Sequence, residues 1–144
     1  DTEEQIYGKL MHEVLSKVQS ESDIMNAVSE IVNLGEISTE KGAEIVSRLK
    51  VWITKPVVEK WFSSEVKVLN EAEILLPNGV HYRPDRVVFF ENDVHVIDFK
   101  FGQIKSNKYQ RQVSSYMSII SEMGYSSVKG FLWFVELGEV EEVI

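Results

Sequence analysis

The stretch YRPDRVVFFENDVHVIDFKFG, residues 82–102, decides how the chain folds. Its apolar residues form two runs, broken at Glu91-Asn92-Asp93 by polar residues of turn-forming type. Two strands are therefore predicted, over Tyr82 to Phe90 and over Val94 to Phe101. Residues two apart in a strand project from the same face. Asp98 and Lys100 thus share a face, and Phe99 turns away from them to be buried. Asp85 follows Pro84 on the preceding strand, about a short hairpin upstream. Carboxylates from adjacent strands can converge on one hard cation, since magnesium prefers oxygen ligands and keeps several waters. Lys100 then stands where it can meet a phosphate or a nucleophilic water.

Outward from this stretch the pattern continues on both sides. Asn107 can cap a helix bearing Tyr109, Val113, Tyr116, Ile120 and Met123, which Gly124 ends. Val128 to Leu137 is a long apolar run that reads as a central buried strand, and Val140 to Ile144 as a short edge strand. Upstream, Glu65 to Leu76 mixes β-branched and charged residues and is predicted as a strand. Pro77-Asn78-Gly79 then makes a hairpin turn, Asn-Gly being a preferred pair there. Before Glu65 the periodicity is helical. Thr2 and Gln5 resemble a capping box, followed by Tyr7, Leu10, Met11, Val14, Leu15 and Val18 at helical spacing. A second helix starts at Ser22 or Asp23 and ends at Gly35; a third starts at Ser38 or Thr39 and runs through Ile45, Leu49 and Trp52. Thr54 with Pro56 predicts a short fourth, carrying Val57, Val58, Trp61 and Phe62. The fold class is α/β (α+β): N-terminal helices over 1–64, then a sheet core over 65–144 with one crossover helix. No repeat, linker or internal boundary interrupts it, so residues 1–144 read as one domain.

The totals bound the function. A chain of 144 residues suits one domain. It holds no cysteine, which excludes a disulfide framework, a cysteine zinc site, a thiol nucleophile and an iron–sulfur cluster, and permits a cytoplasmic setting. No run approaches the length of a membrane span and no signal-peptide pattern opens the chain. A first residue Asp1 in place of Met suggests a piece excised from something longer. The net charge of −8 argues against a surface that grips nucleic acid everywhere. From Phe99 to Ser121, however, there is no Asp or Glu, while Lys100, Lys105, Lys108 and Arg111 fall there. That stretch is either a solvated helix start or a contact for a phosphate backbone.

These motifs, in this order, resemble the PD-(D/E)XK nuclease superfamily. More narrowly, the chain is similar to the RecB-like nuclease domain at the C-terminus of UvrD/RecB-type helicase-nucleases. The resemblance rests on Gly8-Lys9-Leu10-Met11-His12, Arg83-Pro84-Asp85-Arg86, Ile97-Asp98-Phe99-Lys100-Phe101-Gly102 and Gln112-Val113-Ser114-Ser115-Tyr116, and it spans nearly the whole chain. It implies a restriction-endonuclease-like αβββαβ core with a central mixed sheet. It also implies an Mg²⁺- or Mn²⁺-dependent deoxyribonuclease, in which Asp85, Asp98 and Lys100 are catalytic. His12, Asp85, Asp98 and the Phe99 carbonyl would hold the metal. Gln112 and Tyr116, four apart on one helix face, would line the site or contact DNA backbone. Lys105, Lys108 and Arg111 would meet phosphate; Arg86 would meet phosphate or pair with a nearby glutamate. A supporting glutamate is also implied, and Glu71 is favoured over Glu73, which shares its strand face. His81 and His95 receive no chemistry.

The implied setting is an exonuclease module that cuts single-stranded ends delivered by a helicase motor in the same polypeptide, together with a second helicase-nuclease subunit, in DNA end processing and recombinational repair. The chain contains no Walker A sequence, so the ATPase would lie elsewhere. Two alternatives stay open. One is a catalytically silent DNA-binding or subunit-docking module; the other is a stand-alone exonuclease or restriction-type enzyme. If the catalytic reading holds, Asp98→Ala or Lys100→Ala abolishes cleavage without unfolding the domain, because neither side chain is expected to be core.

Overall fold

The computed structural model describes residues 2–70, 74–75, 81–102 and 107–144, with backbone only at 74, 75, 81 and 82. The chain forms two compact units, Asp1–Glu65 and Val66–Ile144. The division falls where the apolar period changes from helical to strand-like.

The first unit is helical. Helix α1 spans Glu3–Ser16, and its start is a complete capping box between Thr2 and Gln5. Met11, Val14 and Leu15 form its buried stripe. Helix α2 (Ile24–Asn33) ends where the Gly35 and Glu36 N–H groups return to the Val32 and Ile31 carbonyls. Helix α3 (Thr39–Ile53) is capped by Ser38, whose hydroxyl accepts from the Lys41 N–H. The predicted fourth helix is not an α-helix. Residues 55–58 form turns and only Glu59–Phe62 winds, as a 3₁₀ helix. Trp61 and Phe62 are nevertheless buried, as their apolar character requires.

The second unit is a five-stranded mixed sheet with one helix. In chain order its elements are β1 (Lys67–Asn70), β2 (Ile74–Leu75), β3 (His81–Tyr82), β4 (Arg86–Phe89), β5 (Val94–Lys100), α4 (Asn107–Glu122), β6 (Val128–Phe134) and β7 (Glu139–Val143). The sheet order is β1-β4-β5-β6-β7, while β2 and β3 pair separately. This is the restriction-endonuclease-like architecture. Strand β5 is central; it lies antiparallel to β4 and parallel to β6. Parallel neighbours need a crossover, and α4 supplies it.

Several boundaries differ from the sequence-based expectation. The strand predicted over Glu65 to Leu76 is two separate pieces, β1 in the main sheet and β2 outside it. Pro77-Asn78-Gly79 lies outside the described residues, although the strands on either side pair antiparallel. The strand predicted from Tyr82 to Phe90 breaks at Arg83-Pro84-Asp85. Pro84 has no N–H to give a ladder, and the Asp85 N–H bonds a side chain instead. The apolar run beginning at Val128 forms the expected buried interior strand, between β5 and β7, but leaves the sheet after Phe134 and not at Leu137. No described helix is long and apolar enough to cross a membrane.

Helix α4 lies on one sheet face. Tyr116 and Ile120 pack with Val87, Val94 and Val96, and Val113 packs with Leu132, Phe134 and Val143. Ile119 is buried as well, whereas Met123, expected on the apolar stripe, is exposed beyond the last turn. The approach is close at Gly130, where an added Cβ would lie 2.6 Å from a Val113 methyl. The opposite face carries Val88, Ile97, Phe99 and Trp133, with Phe99 and Trp133 edge to face at 5.5 Å. Each fully buried side chain of this size contributes about 1.5–3 kcal/mol, so burial on both faces anchors the ends of β5.

Candidate active site

The site lies at the C-terminal end of β5, on the face that α4 covers. The β4–β5 register pairs Arg86 with Ile97; carried one step further, it sets Asp85 opposite Asp98. The ladder there gives way to side chains. The Asp85 N–H donates to Asp98 Oδ1 at 3.3 Å, and the Phe99 N–H donates to Asp85 Oδ2 at 2.8 Å. The break at Pro84 makes this reciprocal pair possible, because the two carboxylates take the backbone donors that a continuous strand pair would have used. Asp98 is buried and Asp85 half-buried. The expectation that Asp98 lies outside the core is therefore corrected. It is a buried acid, and alanine in its place would strand the Asp85 N–H.

Lys100 follows on the same face. Its Nζ is 3.9 Å from Asp98 Oδ2 and 4.2 Å from the centre of the Tyr109 ring. Because α4 runs back over β5, its first turns sit above Lys100 and its middle above Val96. Tyr116 comes near the carboxylates from that helix, with Gln112 one turn before it. Gln112 Nε2 donates to the Tyr116 hydroxyl at 3.0 Å, and that hydroxyl donates to the Arg83 carbonyl at 3.5 Å. Burial raises the Tyr116 pKa above that of an ordinary phenol, and the charges of Asp98 and Asp85 raise it further. The phenol thus stands near both carboxylates in partly desolvated surroundings.

The meeting of two carboxylates bears on whether a divalent cation fits. Two carboxylates side by side repel each other unless a cation lies near, and Lys100 Nζ lies 3.9 Å from Asp98 Oδ2. Carboxylate oxygens suit hard cations of the magnesium or manganese type. Each carboxylate has more acceptor capacity than these backbone bonds use. Asp85 and Asp98 therefore fit as metal carboxylates. Among the described residues no group of three or more His, Asp or Glu assembles. The pair would need its remaining ligands from water, from backbone carbonyls such as that of Phe99, or from a nucleic-acid phosphate.

The other residues singled out by sequence are placed as follows. Glu71, Glu73 and Lys105 lie outside the described residues. His12 belongs to the helical unit. Its Nδ1 is 2.7 Å from the Gly8 carbonyl oxygen, which can only accept, so Nδ1 carries the proton. In the neutral form of the ring Nε2 is then the lone-pair nitrogen. Lys108 and Arg111 are exposed on α4. Arg86 projects opposite to Val87, so it lies on the other sheet face from Asp98. It is fully buried and donates to Asn70 Oδ1 at 2.7 Å. Burial pushes its guanidinium down to about 9, still charged at neutral pH. As placed, Arg86 supports the sheet and presents nothing to a phosphate on the site face.

Two residues near the site had not been assigned a role from sequence. Glu136 Oε1 accepts from the Gly102 N–H at 2.9 Å, tying the end of β5 to the end of β6. Gly102 has φ +97, a conformation that side-chain-bearing residues rarely adopt. The other is Tyr109, read only as part of an apolar stripe. Its spacing from Gln112 and Tyr116 placed it on the right helix face, but only the crossover shows it lying over Lys100.

The mixed sheet thus carries paired acids and a lysine at the end of its central strand. A family model of the PD-(D/E)XK nuclease superfamily matches residues 1–143, and the chain belongs to that superfamily. It is a nuclease by that membership, and nucleases of this superfamily generally use divalent metals. No curated protein matches the chain.

Proposed function

We propose that the chain is an Mg²⁺- or Mn²⁺-dependent deoxyribonuclease module, with exonuclease action on single-stranded ends. The reading is carried by one observation: the Asp98 carboxylate accepts from the Asp85 N–H and the Asp85 carboxylate from the Phe99 N–H, with Lys100 beside Asp98. Asp85 and Asp98 hold the cation. When bound, that cation polarises the scissile phosphate and lowers the pKa of a water. Lys100 places a positive charge where the phosphate gains negative charge during attack. The Gln112 amide and Tyr116 hydroxyl orient the backbone of the bound strand, a positioning role. Lys108 and Arg111, exposed on the same helix, add sequence-independent attraction to phosphate, and Lys105 is assigned the same role.

We further propose a helicase-linked setting: a cytoplasmic module whose motor lies in the same polypeptide, with a second helicase-nuclease subunit, acting in end processing and recombinational repair. The Gly8/His12 and Gln112/Tyr116 pairs and the net charge of −8 support it, since an acidic module needs its motor to supply DNA affinity. His12 is proposed as a further metal ligand through Nε2.

The test is Mn²⁺ calorimetry on the wild-type chain and on Asp85→Asn/Asp98→Asn, which keeps side-chain shape while removing charge. Binding lost in the variant supports the metal site, and linear against circular single-stranded DNA then separates exonuclease from endonuclease action. Equal binding by both proteins would favour the silent docking or DNA-binding module.

A further inference from the structure

Lys100 is held from two sides. Its Nζ is 3.9 Å from Asp98 Oδ2, and its side chain is 19% exposed. The same Nζ lies 4.2 Å from the centre of the Tyr109 ring. We propose that Tyr109 is a positioning residue for Lys100, its ring face holding the ammonium beside the carboxylate pair. The proposal rests on the nuclease reading above.

The argument begins with the lysine. Its stem has four rotatable carbons and much rotamer freedom, and a nitrogen 3.9 Å from a carboxylate oxygen is beyond hydrogen-bond length. Asp98 alone therefore restrains Lys100 weakly. The face of an aromatic ring is negative and attracts a cation within about 6 Å of its centroid. Tyr109 brings such a face to the ammonium from the helix above. Carboxylate and ring together define where the ammonium sits, which neither does alone.

The ring is itself anchored. Tyr109 packs against the cluster of Val113, Leu132, Phe134 and Val143. Leu132 and Phe134 stand opposite Asp98 and Lys100 in the β5–β6 register. The ring is thus fixed to the sheet that carries the lysine. Packing against this cluster needs only a large apolar side chain, whereas holding an ammonium needs a π face. Substitution can separate these two demands.

Two measurements test the proposal together. In the chain labelled with ¹³C-lysine, the Lys100 εCH₂ signals are assigned by their loss in Lys100→Arg. A ring face shifts them upfield in the wild type and in Tyr109→Phe, and Tyr109→Leu returns them to the range of a free lysine. In Mg²⁺ or Mn²⁺ with an end-labelled oligonucleotide, Tyr109→Leu lowers kcat by about tenfold with KM unchanged, and Tyr109→Phe restores it. Circular dichroism confirms that the leucine variant folds, and Tyr109→Met replaces it otherwise. Lys100 signals that stay shifted in the folded variant overturn the proposal, as does wild-type kcat in it. Where the wild-type chain does not cleave, the signals alone decide: Lys100 signals unshifted in the wild type overturn the proposal, and shifted signals that Tyr109→Leu releases support it. The εCH₂ signals still report whether ring and ammonium touch.

Discussion

The two ends of β5 carry similar residues and opposite charge balances. At the N-terminal end, Asp93 accepts from the Ser127 hydroxyl at 3.2 Å, lies 3.4 Å from Lys129 Nζ and 3.6 Å from His95 Nε2. His95 is itself buried between Phe90 and Phe131. At the C-terminal end, Asp98 faces a second carboxylate, and Lys100 is 3.9 Å away and shared with an aromatic ring. One end surrounds an acid with donors and a cation; the other crowds two acids under a buried phenol. The difference teaches that an aspartate–lysine pairing does not mark a site. What separates the two ends, among the described residues, is that one acid is ringed by donors and a lysine while two carboxylates meet at the other, the kind of pairing that a further cation stabilises.

The contrast breaks most completely if the C-terminal end is not a metal site. Asp98→Asn keeps the acceptor for the Asp85 N–H, and is expected to abolish Mn²⁺ binding and cleavage while a thermal melt shows the fold retained. Lys100→Met leaves the carboxylates in place, and cleavage is expected to fall by about 10²–10³-fold, the usual cost of removing one charge-stabilising group. A Lys100→Met enzyme with wild-type kcat would reduce the lysine to a surface salt bridge.

Smaller effects sharpen the comparison. Gly130→Ala pushes a methyl into Val113, a β-branched residue that cannot swing aside. A loss of about 1–3 kcal/mol is expected in denaturant unfolding, with α4 displaced from the site it covers. The two ends should also titrate apart. The Asp93 carboxyl is held below its ordinary pKa: burial alone would raise it, but Ser127, Lys129 and His95 together outweigh that. Its contribution to stability is present above the unfolded value near about 4 and is lost as pH falls through the folded one. Asp93→Asn should flatten that acid limb in melts across pH. The Tyr116 phenol is raised, so its contribution is complete below about pH 10 and is lost as pH climbs toward the folded value. Tyr116→Phe should soften the alkaline limb, the smallest of these changes.

Much of this was legible in advance. Asp98 and Lys100 share a face because strand periodicity is two, and Gln112 and Tyr116 because helical periodicity is near four. Caps at Thr2 and Ser38 were readable because capping is a contact between near neighbours. What failed depended on partners distant in sequence. The residues after Thr54 had helical pattern but too little length to wind an α-helix. The chain from Glu65 to Leu76 had strand composition throughout, yet among its described residues only Lys67–Asn70 has β4 beside it.

The sequence by itself determined the class of fold, the family and the residues that can do chemistry, because period, turn composition and motif spacing are local properties of the chain. Only the tertiary structure decided how those residues meet. The register of β4 on β5 turned Asp85 and Asp98 into a reciprocal pair and sent Arg86 to the opposite face. The path of α4 back over β5 laid Tyr109 on Lys100 and Tyr116 over the carboxylates. These are contacts between elements, set by how apolar faces pack, and no local pattern encodes which side chain arrives opposite another.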